Sequence, residues 1–151
     1  MNTNRIDTLL GNHQSVGLDT SVVIYAVEAN PKYLPLVTSL LNWLRAPNHR
    51  AVTSTLTMTE ALVRPYRLRD LPLVKEFHAL LYSYPHLHWI APTLAIADQA
   101  AQIRAEHNLR TPDAIEAATA ILAGTSAFVS NDPVFRRIKS LDILLLDEML
   151  Q

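Results

Sequence analysis

Cysteine is absent from this sequence. That excludes disulfides, zinc–thiolate centres and thiol nucleophiles, and it suits a reducing compartment. Glycine is scarce, with three in 151 residues, and neither a repeat nor a low-complexity linker interrupts the chain. Both facts argue for one domain over residues 1–151 rather than two. No apolar stretch approaches the roughly 18 residues of a membrane span. The opening Met1-Asn2-Thr3-Asn4-Arg5-Ile6-Asp7 lacks the apolar run of a secretory signal. The expectation is a soluble, cytoplasmic protein with no membrane partner. Strong net charge is missing too, since 13 Lys and Arg oppose 14 Asp and Glu for a total of −1. The total therefore does not announce a nucleic-acid binder.

What is present is an ample core, with 49% of the residues hydrophobic. The charge is lopsided: residues 1–75 carry eight Lys and Arg against five acids, and residues 76–151 carry five against nine. Separate basic and acidic surfaces are the expectation.

Apolar runs alternate with helical spacing. Short strands are expected at Ser15–Leu18, 51–54, Leu87–Ile90, Ala127–Ser130 and 143–146. Helices are expected over 22–27, 34–45, 55–63 (ended by Pro65), 73–81 and 93–107. Thr111 and Pro112 suit the start of a further helix, the first as cap and the second at the first position, and Gly124 suits its end. Asp132-Pro133 opens a short helix. Strands separated by helices require crossover connections, hence a parallel sheet of about five strands between helical layers, a three-layer α/β/α domain.

In such a sheet ligands bind beyond the carboxyl ends of the strands, where strand order reverses. Asp19 follows the first strand directly, and Asn131 and Asp132 follow the fourth. Each acid has an ordinary explanation. Asp19 and Asp132 are good helix caps. Asp113 sits where a helix dipole favours an anion by roughly 0.3–1 kcal/mol. Glu60 has Arg64 four residues later, a pair worth about 0.3–0.5 kcal/mol when exposed. Asp19 resists this treatment. It ends Val16-Gly17-Leu18 at the edge of the core with no Lys or Arg close in sequence, and burying an unpaired charge is costly. A bound cation is the natural partner.

Four segments taken together are more specific. Gly17-Leu18-Asp19-Thr20-Ser21-Val22-Val23-Ile24-Tyr25 resembles the opening motif of PIN domains, a strand ending in Asp-Thr before an apolar helix. Thr57-Met58-Thr59-Glu60-Ala61-Leu62 resembles their second motif. Thr111-Pro112-Asp113-Ala114-Ile115-Glu116-Ala117-Ala118-Thr119-Ala120 is similar to the third. Val129-Ser130-Asn131-Asp132-Pro133-Val134-Phe135 resembles the fourth, with Ser130 in place of the usual threonine. All four occur in order across residues 16–135, and the nearest subgroup is the VapC-like toxins of bacterial toxin–antitoxin pairs. Such toxins begin within a few residues of the first motif, whereas 14 residues precede it here and remain an unexplained extension.

The resemblance implies a magnesium- or manganese-dependent endoribonuclease with Asp19, Glu60, Asp113 and Asp132 as catalytic and metal-binding acids. It also implies an RNA substrate, a neutralising antitoxin and a homodimer, for which 34–44 and 73–81 offer apolar helices. Two unit charges 4 Å apart repel by about 4 kcal/mol at an effective dielectric of 20, so crowded carboxylates need protons or a cation. Oxygen ligands select magnesium or manganese over zinc. Asp19 and Asp113 are expected as first ligands, with Asp132 and Glu60 completing the shell or positioning water. Glu116 is read as either solvated or supporting the ligands from behind, not as a ligand, and Thr20 and Ser21 as capping groups. Arg64, Arg67 and Arg69, or Arg136 and Arg137, would grip RNA phosphates or a partner's carboxylates. Trp43, Trp89, Tyr82 and Tyr84 read as core or rim aromatics, and His86 and His88, expected to share a strand face, lack the further ligands a metal needs.

Other readings fit less well. A non-catalytic PIN module for RNA or protein would lack an acid, and none is lacking. A non-toxin PIN nuclease of RNA processing stays open. A haloacid-dehalogenase-type phosphatase wants Asp-x-Asp after its first strand and fails at Ser21. A response-regulator receiver wants a lysine just after a late strand, whereas Lys139 follows a helical stretch.

Overall fold

A computed structural model describes residues 3–150, so the two ends of the expected 1–151 domain lie outside the described residues. Helix α1 (Thr3–Leu10) precedes β1 (Ser15–Leu18), α2 (Thr20–Val27), α3 (Leu34–Leu44), β2 (Arg50–Ser54), α4 (Thr55–Arg67) and α5 (Leu71–Leu81). Then come β3 (Leu87–Ile90), α6 (Leu94–His107), α7 (Thr111–Leu122), β4 (Ala127–Ser130), a 3₁₀ turn (Pro133–Arg137), β5 (Asp142–Leu145) and the single turn α8 (Leu146–Met149). The five strands form one parallel sheet in the order β3-β2-β1-β4-β5.

Because β4 is buried throughout, its side chains separate by face rather than by polarity. Ala127 and Val129 join a cluster with residues of α1 to α5, including Ile6, Leu36, Leu40 and Phe77. Phe128 joins α6 and α7 through Ile96, Ile103, Ala117 and Ala120 on the other face. Three layers follow from that split.

The extension before the first motif is thus partly explained: α1 buries Ile6 and Leu10 and packs against α3. Its apolar residues are too few for a helical period to stand out in the sequence. Several expected boundaries move by one to four residues. Helix α4 continues through Pro65 to Arg67. A proline one turn from a helix end removes a single hydrogen bond, and here Leu68 and Asp70 donate to Arg64 O and Pro65 O at 3.0 and 2.8 Å. Thr111 does not cap α7; the extended residue before the helix is Arg110, and Thr111 is already its first turn.

Gly17 marks the tightest helix–sheet approach. A Cβ there would stand 2.6 Å from both Ala120 Cβ and Phe128 Cδ1. Gly17→Ala is expected to lower the urea midpoint by the equivalent of about 1–3 kcal/mol, the usual cost of overpacking. An unchanged midpoint would mean that α7 rests farther from β1.

Candidate active site

After β1 the chain moves toward β2 and β3, and after β4 it moves the other way to β5. The carboxyl ends of β1 and β4 therefore flank the reversal of strand order, the position where open parallel sheets hold ligands.

Asp19 leaves β1 at that point. Its amide donates to Val129 O of β4 at 3.2 Å. Its Oδ1 accepts from Ser21 N at 2.9 Å and from Ser21 Oγ at 2.5 Å, so it does cap α2. Its Oδ2 accepts from Ser130 Oγ at the end of β4. The side chain is 6% exposed. Burial raises its pKa above the ordinary value, against the Ser130 and Ser21 hydrogen bonds that favour the charged form, and no basic side chain contributes.

Ser130 Oγ also accepts from Asp132 N at 2.9 Å, which ties the turn carrying Asp132 to Asp19. The Asp132 carboxylate caps the 3₁₀ turn through Val134 N at 2.9 Å and remains exposed. Asn131 fixes the same turn from the other side. Its amide nitrogen donates to Tyr25 OH at 3.2 Å and its oxygen accepts from Asp147 N at 3.0 Å.

Helix α7 supplies two acids. Asp113, in its first turn, is 8% exposed and accepts from the exposed Arg110 Nε at 3.3 Å. One turn on, Glu116 is only 3% exposed, which removes the solvated alternative and leaves that of a residue supporting the ligands. Its Oε1 accepts from Thr20 Oγ1 at 2.7 Å and Thr57 Oγ1 at 2.9 Å. Burial, then the charges of Asp19 and Glu60, push its pKa from 4.5 up to about 8, against the two threonine hydrogen bonds. Glu60 forms no ion pair with Arg64; its Oε1 instead accepts from Thr20 Oγ1 at 3.0 Å. Thr20 therefore bridges two glutamates rather than serving as a cap.

The sequence left Glu116 open between a solvated residue and one supporting the ligands, although a signal for its burial existed. Asp113, Glu116, Ala117 and Ala120 occupy one helical stripe, and Ala120 is the residue that meets Gly17. Small residues on that stripe mark the face turned to the sheet.

The raised pKa of Glu116 has a consequence for stability. Below about 4.5 the folded and unfolded chains both hold the proton. Between about 4.5 and about 8 the folded chain keeps a proton that the unfolded chain has released, so stability falls as pH rises through that window. Thermal melts in chelator should show this decline for wild type and a much flatter profile for Glu116→Gln. Parallel profiles would remove Glu116 from the buried, neutral role.

No three His, Asp or Glu side chains among the described residues converge into a finished metal cage. The fit to a cation rests instead on donor chemistry. The donors are all hard oxygens, Asp19 is buried without a basic partner, and the charges of Asp19 and Glu60 oppose ionisation of Glu116.

The arginines divide into two groups. Arg136 pairs with Glu148, and Arg137 Nη1 donates to His107 O and Asn108 O at 3.1 and 3.3 Å. Arg64 and Arg67 lie four and seven residues beyond Glu60 on the exposed face of α4, with Arg69 just past it, and none is in an ion pair among the described residues. Among the aromatics, Trp89 Nε1 and Tyr84 OH donate to Leu81 O and Leu41 O, while Tyr82 is exposed. His86 lies before β3, facing Leu44 O at 2.8 Å, and does not share a strand face with His88.

The PIN domain family matches residues 16–141. A chain of the VapBC2 assembly from Rickettsia felis, solved bound to a fragment of promoter DNA, superposes with a TM-score of 0.71 at 19% identity, covering 87% of this chain and 98% of that one. A chain of a toxin–antitoxin complex from Klebsiella pneumoniae superposes with a TM-score of 0.63 at 19% identity, covering 87% and 97%. No curated protein matches the sequence.

Proposed function

Because this chain belongs to the PIN-domain family, we propose that it is an endoribonuclease dependent on magnesium or manganese, and the toxin of a toxin–antitoxin pair. The observation that carries the reading is the placing of Asp19. It is a buried acid without a basic partner, at the switch point, joined through Ser130 to the Asp132 turn and flanked by Glu60 and Glu116 on Thr20. The residues that would hold the cation are Asp19, Asp113, Asp132 and Glu60. When bound, it supplies a lowered pKa for water and neutralises charge building on the phosphate.

The chain's own residues prepare that site. Ser21 and Ser130 orient both Asp19 oxygens, so the carboxylate loses little freedom when it takes a ligand. Asn131 holds the Asp132 turn against α2 and α8. The exposed stripe Glu60, Arg64 and Arg67 leads away from the acids along α4, which supports a phosphate path on that side. The alternative track through Arg136 and Arg137 has its donors engaged within the protein.

The toxin role is supported by the toxin–antitoxin origin of the structural neighbours. An antitoxin tail entering the acidic pocket would need Lys or Arg to stand in for the cation. A homodimer would use the α4–α5 region, where Val63, Tyr66, Leu68, Leu71 and Tyr82 are exposed. The apolar residues of the two expected helices are spent in the core instead, Leu36, Val37, Leu40 and Leu44 in 34–44 and Val74, Phe77 and Leu81 in 73–81. Among the described residues no helix is long and apolar enough to cross a membrane, and the cytoplasm is the proposed location.

The test is end-labelled RNA incubated with purified chain and magnesium or manganese. Shorter products are expected from wild type and none from Asp113→Asn. Equal cleavage by both would place the activity outside this site. Replacing Arg64, Arg67 and Arg69 by alanine should weaken RNA binding and flatten its salt dependence by roughly one logarithmic unit of slope per lost contact. An unchanged slope would move RNA to the Arg136 and Arg137 side.

A further inference from the structure

Thr20 stands between two glutamates, and its single hydroxyl hydrogen is shared between them. Its Oγ1 lies 3.0 Å from Glu60 Oε1 and 2.7 Å from Glu116 Oε1. Thr57 holds Glu116 Oε1 at 2.9 Å and lies 2.9 Å from Thr53 Oγ1, which donates to Leu18 O at 2.9 Å. One file of polar contacts therefore runs from the end of β1 through β2, α4, α7 and α2 to Glu60. Each hydroxyl has one donor hydrogen and two acceptor positions, so the file has few alternative arrangements.

Two features give this file a purpose beyond filling space. Glu60 is exposed, and its contact with Thr20 is the one hydrogen bond that fixes it among the described residues. Left to itself, an exposed glutamate would sample several rotamers. Glu116 is nearly sealed, and only its Oε1 is engaged by threonines. Ser39 Oγ is the one sealed, unpartnered side-chain polar atom among the described residues, so Glu116 Oε2, which no hydrogen bond engages, is not fully sealed from solvent.

We propose that Glu116 is a positioning residue of the acidic site, which through Thr20 fixes the Glu60 carboxylate at the mouth and thereby sets the affinity for a divalent cation. The proposal rests on the reading of the site as a divalent-metal nuclease centre. Glu116 contributes through hydrogen bonds, not as a ligand. Removing its acceptor, or the Thr20 hydroxyl that links it to Glu60, should have the same effect. Partners of this kind typically alter metal affinity 10- to 100-fold when removed.

Calorimetric titration of manganese into the full chain tests this. Glu116→Ala and Thr20→Val should each weaken binding about tenfold or more. The double variant should be no weaker than the worse single one, since both cut the same file. Glu116→Gln keeps an oxygen acceptor for Thr20 and Thr57 and should restore most of the affinity lost in Glu116→Ala. Wild-type affinity in both Thr20→Val and Glu116→Ala overturns the proposal, whatever their melting temperatures. So does a Gln variant as weak as the Ala variant, the behaviour of a direct ligand. Asp19→Asn separates the two levels. If it loses manganese while the Thr20 and Glu116 variants keep it, the positioning role alone fails. If wild type does not bind, or Asp19→Asn binds as well, the metal reading fails.

Discussion

Asp19→Asn leaves a folded chain whose RNA cleavage falls on the order of 10³-fold. Metal-assisted neutralisation of phosphate charge is worth several kcal/mol, and each 1.36 kcal/mol is tenfold in rate. Folding should not suffer. Asparagine caps helices as well as aspartate does, and its oxygen can still accept from Ser21 N, now 2.9 Å away. Without metal the variant also avoids burying a charge that has no basic partner. The expected pair of results is therefore a melting temperature in chelator at or above that of wild type, and a cleavage rate near background. A drop of several degrees with cleavage retained would make Asp19 a structural cap and nothing more.

Induced expression of the chain alone in bacteria should arrest growth, cutting colony counts by orders of magnitude, and Asp19→Asn should relieve the arrest. This contrast separates a toxin from a nuclease of ordinary RNA processing on the same fold. Colony counts unchanged by soluble, active wild type would favour the processing role. Arrest that persists in Asp19→Asn would detach toxicity from the acidic site altogether.

Much of this was legible in the sequence because it depends on local patterns. The five strands were readable as short apolar runs, and three of them, Ser15–Leu18, Leu87–Ile90 and Ala127–Ser130, have the expected bounds. Asp19 and Asp132 could be placed near each other once β1 and β4 were taken as neighbours at the switch point, as they are. What could not be read depends on contacts across the chain. Helix α1 shows its role only against α3. Pro65 ends nothing, because the helix had one turn left to make. Glu116 could not be told from a surface residue, since its partners, Thr20 and Thr57, are 96 and 59 residues away in sequence. Its burial follows from Gly17 allowing α7 onto β1, a contact between residues 17 and 120. A motif names the acids but says nothing of the hydroxyls that hold them.

Metal add-back on one preparation decides whether a divalent cation carries the cleavage. Wild-type chain stripped with EDTA and dialysed is mixed with labelled RNA, and cleavage is followed as magnesium, manganese or zinc is returned. No cleavage is expected in chelator, recovery with magnesium or manganese, and little with zinc, because the site offers carboxylate oxygens rather than the nitrogen and sulfur donors zinc prefers. Undiminished cleavage in chelator, by protein free of contaminating nuclease, would contradict that expectation.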